Sequence, residues 1–230
     1  MSRRRVCQGG SRVGTANWRA RSCVLVASLV GTLPAAGQSY LGIEAGPTSA
    51  TWAGSFVDAS RIWGVHIATV LEYHVGARWS VAVAGVWQQK GASGVQTAGG
   101  LGPVDFKSSQ LALPIVVRRA ISVANGWALS PYGGVTFAIT TDCQAKDASV
   151  FEFEEDCDVA FPRTAAPEVE LDVPVGLRLT RTYIGGSRFV ASLQYDIGMT
   201  NQLPDLVPAD RVVRSRTWIV TSGIALPLFW

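Results

Sequence analysis

Few residues in this chain could carry out chemistry. His66 and His74 are its only histidines, eight positions apart in one segment. Acyl-transfer sites bring a serine or cysteine, a histidine and an acid within hydrogen-bond reach. Eight extended residues separate two side chains by roughly 26 Å, so His66 and His74 cannot share a site. No GxSxG-like element accompanies either of them. The simpler reading is two histidines hydrogen-bonded to interior neighbours. A second group is Glu44, Glu72, Glu170, Asp172 and Asp196 with Arg118 and Arg178. These residues could line a narrow ion path. The favoured reading is an internal network of ion pairs, because buried charges must be paired. A third group surrounds Cys143 and Cys157: Asp142, Asp147, Glu152, Glu154, Glu155, Asp156 and Asp158, with Lys146 as the lone base. Several carboxylates could hold a divalent cation, but the spacing fits no EF-hand. A solvated acidic loop pinned by a disulfide is the favoured reading. No metal, cofactor or catalytic residue is therefore expected.

The elements that must position these groups have a period of two. Trp63, Val65, Ile67, Leu71 and Tyr73 alternate with Gly64, His66, Ala68, Val70, Glu72 and His74. Trp79, Val81, Val83 and Trp87 alternate with Ser80, Ala82, Ala84, Val86 and Gln88. The same rhythm runs through 40–48, 108–119, 129–141, 169–180, 189–200 and 218–230. Successive strand side chains point to opposite faces, so each segment has one apolar and one mixed face. The pattern predicts eight strands and no amphipathic helix.

Two folds show such alternation, a soluble sandwich and a transmembrane barrel. Soluble strands average about 5–6 residues and membrane strands need about 9–11; these segments match the longer class. Acids and arginines recur on the mixed face, as in a barrel with polar inside and apolar outside. Trp79 and Trp87 share a face and, with Trp218 and Trp230, are expected in aromatic girdles. Connections 73–79, 120–127 and 183–189 are short, with Gly76, Asn125-Gly126 and Gly185-Gly186 as turn residues. Those at 49–62, 91–106, 143–164 and 201–214 are long. Short periplasmic turns and long outer loops are the outer-membrane plan. The expectation is an eight-stranded antiparallel transmembrane β-barrel over 38–230, with His66 near the outer rim and His74 near the periplasmic one. Pro114, Pro174 and Pro227 fall inside strands, where bulges or bonds lost near strand ends are expected.

Charge distribution agrees. The formal net charge of +3 suggests an anionic partner such as nucleic acid. Yet Arg3, Arg4, Arg5, Arg12, Arg19 and Arg21 precede an apolar stretch, Cys23–Leu33, and a small-residue exit at Ala35 and Gly37. This is the layout of a secretory signal peptide over 1–37, cleaved before Gln38. Removing those six arginines leaves fourteen bases against 17 acids, a net −3, and nucleic acid is excluded as a partner. Cys143 and Cys157 remain as an even pair in an exported chain, so they are expected to form a disulfide. The low charged fraction, 16%, fits strands that turn one face to lipid.

The chain ends with Ile224, Leu226, Leu228 and Trp230 at every second position. This resembles the C-terminal signal that outer-membrane barrels present to the barrel-assembly machinery. Leu41-Gly-Ile-Glu-Ala-Gly46, Val86-Trp-Gln-Gln-Lys-Gly91, Leu111-Ala-Leu-Pro-Ile-Val116 and Ser130-Pro-Tyr-Gly-Gly134 resemble the PorT-like outer-membrane β-barrel family. The resemblance implies a small eight-stranded barrel, usually without an assigned activity. The expected protein is non-enzymatic, sits in the outer-membrane lipid of a Gram-negative bacterium, and meets an unnamed extracellular partner through its loops. A small pore is the alternative, and a lipid-modifying enzyme a more distant one.

Overall fold

In the computed structural model, eight long strands form the wall. They are β1 Ser39–Gly54, β2 Ile62–His74, β3 Trp79–Val95, β4 Val104–Arg119, β5 Trp127–Asp147, β6 Val169–Thr182, β7 Arg188–Gly198 and β8 Arg214–Leu228. The structure describes residues 38–54, 57–95, 103–147, 154–157, 169–202 and 212–228. The expected signal segment 1–37, Trp230, and Glu152 and Asp158 of the acidic loop lie outside the described residues. Each strand pairs antiparallel with the next. β8 returns to β1 in a register from Ser39↔Leu228 to Ala53↔Arg214, which closes the barrel. Closure removes sheet edges, so backbone groups are paired without water. The β4–β5 connection adds Ile121–Ala124, paired to the start of β5 and turned by Asn125 and Gly126, both with positive φ (49° and 80°). That is the backbone an Asn-Gly hairpin turn requires. Glu154–Asp156 pairs with the far end of β5.

Side chains sort by the two-residue period. Leu41, Ile43, Val65, Ile67, Leu111, Leu113, Ile115, Val135, Phe137, Ile139, Val175 and Leu177 face outward and are exposed. Glu44, His66, Arg118, Glu170, Asp172, Arg178 and Asp196 face inward and are buried. On β2 the outward row runs from Trp63 to Tyr73, ten residues that span roughly 25 Å at a tilt of about 40°. That height matches the apolar band of a bilayer.

Toward the long-loop end the sorting reverses. On β1 the outward residues change from Leu41 and Ile43 to Ser49 and Thr51, and the inward ones from Glu44 to Ala50 and Trp52. On β4, outward Leu111 gives way to Ser109 and Lys107, while Phe106 and Val104 turn inward. Two bulges help the neighbours follow. One extra residue in β5 shifts its register against Ser109/Gln110 of β4, so Ala145 points inward. Another in β3, between Ala92 and Val95, turns Val95 inward. Below this level the wall is apolar outside, and inside it combines the charged groups with a patch of small apolar residues that includes Ala68, Val70, Ala82 and Val86. Above it the order is that of a water-soluble protein.

Two expectations need correction. Segments 49–54, 91–95 and 143–147, expected as loop, are strand. Their alternation is out of phase with the membrane-facing part, so it does not read as a continuation. The internal prolines make no bulge. Pro114 and Pro174 each lie at a two-residue gap in one ladder, and the register resumes unchanged on either side. Pro47 of β1 does the same against β8. A missing N–H removes a bond without inserting a residue. Pro227 pairs with Tyr40 in an unbroken register.

Candidate functional site

The lumen collects the polar side chains into two tiers. In the tier nearer the short turns, Arg178 of β6 reaches across to Glu44 of β1, Nη1 to Oε1 at 2.5 Å. Thr221 of β8 donates to the other Glu44 oxygen at 3.2 Å. Arg118 of β4 donates to Glu72 of β2 at 2.7 Å. Two arginines and two carboxylates balance here, which burial demands. Tyr132 of β5 lies beneath Arg118, whose guanidinium carbon is 5.6 Å from the ring centroid. Its hydroxyl donates to Gln194 at 2.9 Å, and Gln194 donates to Asp196 at 2.7 Å. Tyr132 is opposite Gly176 on β6. A Cβ at Gly176 would press on the Tyr132 ring, 2.6 Å from its hydroxyl oxygen. Gly176 is therefore the space the ring occupies.

The second tier centres on Glu170, which is 1% exposed. One of its oxygens accepts from Gln202 at 2.9 Å and from the Ser215 hydroxyl. The other accepts from Gln110 at 2.7 Å. Lys90 of β3 lies 3.8 Å from Glu170 and 2.5 Å from Asp172. One carboxylate thus ties β4, β6, β8 and the segment after β7 together, with β3 joined through Lys90. The sequence expectation did not include Lys90, Gln110, Gln202, Ser215 or Tyr132. Lys90 was within reach, because it continues the even row of Ser80 to Gln88 by one residue.

Beside the first tier lies a cavity of about 50 Å³, lined by Glu44, His66, Arg118, Tyr132, Arg178 and Thr221 and by apolar residues such as Ala68 and Val86. That holds a water or two. An eight-stranded barrel leaves an interior that side chains can fill, and here they do. His66 is inside the barrel, buried, with Nδ1 3.4 Å from Gln88; this corrects its expected place near the outer rim. His74 is at the short-turn mouth, 3.7 Å from Glu72 and 3.4 Å from Arg188. Arg188 stacks on Tyr40 at the same mouth, its guanidinium carbon 3.6 Å from the ring centroid. Among the described residues no group of three His, Cys, Asp or Glu side chains is placed to hold a metal ion.

An apolar cap covers the other end. Trp52 and Phe106 stack with centroids 4.9 Å apart, among Ala92, Val95, Val104, Ala145 and Val213. Cys143 and Cys157 are joined, Cα atoms 5.4 Å apart, and Cys157 is buried in the cap. Trp79, Trp87 and Trp218 face outward and are exposed, as are Ile224 and Leu226, while Leu228 is half-buried.

No family model matches the chain, and no curated protein matches its sequence. Solved structures do. The outer membrane protein OprG from Pseudomonas aeruginosa is similar with a TM-score of 0.51 and 11% identity, over 84% of this chain and 98% of that one. A major outer membrane protein from Thermus thermophilus is similar with a TM-score of 0.48 and 13% identity, over 83% and 99%. Neisserial surface protein A is similar with a TM-score of 0.45 and 10% identity, over 82% and 96%. The likeness to OprG is one of fold: a closed antiparallel barrel of eight strands.

Proposed function

We propose that this protein is an integral outer-membrane barrel with a closed, cross-braced interior, serving as a rigid platform for its outer loops and carrying no enzymatic activity. The observation that carries this reading is the second tier: one buried carboxylate, Glu170, bonded to Gln110, Gln202 and Ser215 from three parts of the wall. An ion path would need a row of solvated groups, whereas these are buried and bonded mainly to one another. The outward apolar rows support insertion in lipid. Exposed Ile224 and Leu226 on the closing strand suit the role of an assembly signal, with Leu228 and Trp230 completing it. A first strand that begins at Ser39 suits cleavage before Gln38. PorT-like membership rests on the quoted motifs, of which Ser130–Gly134 contributes Tyr132 to the lumen.

Planar-bilayer recording of the refolded full chain tests the closed interior. The expected trace shows no stable conductance steps. Large stable steps would establish a pore and overturn the reading.

A further inference from the structure

The short-turn end of the barrel carries outward positive charge. At the short-turn end, the carboxylate among the described residues is Glu72, which turns inward to Arg118. The outward charges there are Arg78, Arg119 and Arg181, all exposed. Arg119 ends the lipid-facing row Leu111, Leu113, Ile115 and Val117 of β4. Arg181 ends the row Val175, Leu177 and Leu179 of β6. Each is directly opposite a tryptophan on the neighbouring strand, Arg119↔Trp79 and Arg181↔Trp127. The guanidinium carbon of Arg119 is 5.7 Å from the Trp79 centroid, and that of Arg181 is 5.3 Å from both Trp127 and Tyr183. Neither arginine has an ion-pair partner among the described residues.

This arrangement occurs twice, each time where an outward apolar row stops. Tryptophan settles at headgroup level in a bilayer. A guanidinium laid on its face has one flat side occupied and its N–H edge free. That edge presents a planar fork of donors matched to phosphate oxygens. The anions available at that depth are lipid phosphates.

We propose that the short-turn rim binds phospholipid headgroups. Arg119 on Trp79 and Arg181 on Trp127 form two phosphate clamps, selective for anionic phospholipids of the periplasmic leaflet. The proposal rests on the reading of the chain as a membrane barrel.

The test uses the full chain in nanodiscs of equal phosphatidylglycerol and phosphatidylcholine. Lipids retained on release are counted by native mass spectrometry. The expected result is an excess of phosphatidylglycerol that falls about thirtyfold in Arg119→Gln/Arg181→Gln, since each cation near an anionic surface contributes about fivefold. An unchanged excess in that variant would place the lipid elsewhere and overturn the proposal. Salt provides a check on the unaltered protein, should the variant fail to fold. Raising NaCl from about 0.1 to 1 M shortens the screening length from about 10 to 3 Å and should remove the excess; an excess insensitive to salt overturns the proposal as well. Heat-modifiable gel mobility separates the two readings: a chain that does not enter bilayers refutes the membrane barrel itself, whereas one that inserts without preference refutes only the clamps.

Discussion

Arg178 and Glu44 are 134 positions apart in the chain and meet head-on across the lumen. Both are buried, beside a cavity with room for a water or two. Replacing Arg178 with Met leaves Glu44 buried with reduced compensation, and removal of one partner of a buried pair costs about 3–5 kcal/mol. Urea unfolding in lipid vesicles should show that loss, and Arg178→Met/Glu44→Met should recover much of it. Equal stability of the single variant and the parent would show that water reaches the pair.

Gly176 gives a second prediction. Gly176→Val puts side-chain carbons where the Tyr132 ring lies. Overpacking of this kind costs about 1–3 kcal/mol, and the Tyr132–Gln194 hydrogen bond should break. Tyr132→Phe removes the same bond without the collision. Its smaller destabilisation, read in the same unfolding assay, separates packing from hydrogen bonding.

The link between Cys143 and Cys157 is checked by non-reducing mass spectrometry of a peptide digest. Closing a loop of about 15 residues stabilises by about 3 kcal/mol in the chain-entropy model. Because Cys157 packs in the apolar cap, Cys143→Ser should expose 154–157 to protease first. The barrel below should keep its heat-modifiable mobility, and loss of that mobility would mean that the cap holds the whole wall together.

Depth can be tested with one residue type on one outward face. Leu113→Arg, midway along the lipid-facing row of β4, should destabilise by about 2–4 kcal/mol. Ala53→Arg also points outward, but among the hydrophilic residues of the upper wall, and should be nearly silent. Similar losses at both positions would contradict the level assigned to the lipid boundary.

The number of strands and seven of the inward charges are legible in the sequence, Lys90 not among them, because lipid imposes a strict two-residue alternation. Glu44 and Arg178 could be assigned to the lumen by parity alone, without knowing that they meet. Parity does not state which strands lie across from one another, so the Glu44–Arg178 pairing was invisible. Uncharged bracing groups carry no such signal for a different reason. Gln110, Gln202 and Ser215 look like ordinary polar residues until a buried carboxylate converges on them. The upper wall reads as loop in the sequence because its apolar side turns inward, and the extra residues in β3 and β5 slip the phase. Pro47 leaves no mark on the pattern because a ladder gap keeps the alternation intact.

The exchange of inside for outside near Ser109 and Thr141 also acts as a waterline. Sliding the barrel inward by one pleat, two residues or about 5 Å along the membrane normal, would carry Ser109, and behind it Lys107, toward acyl chains. Sliding it outward would strand Leu111 and Ile139 in water. Both displacements raise the free energy, so the protein floats at one fixed height, and the length of wall that stands clear of the membrane is written into the same strands that cross it.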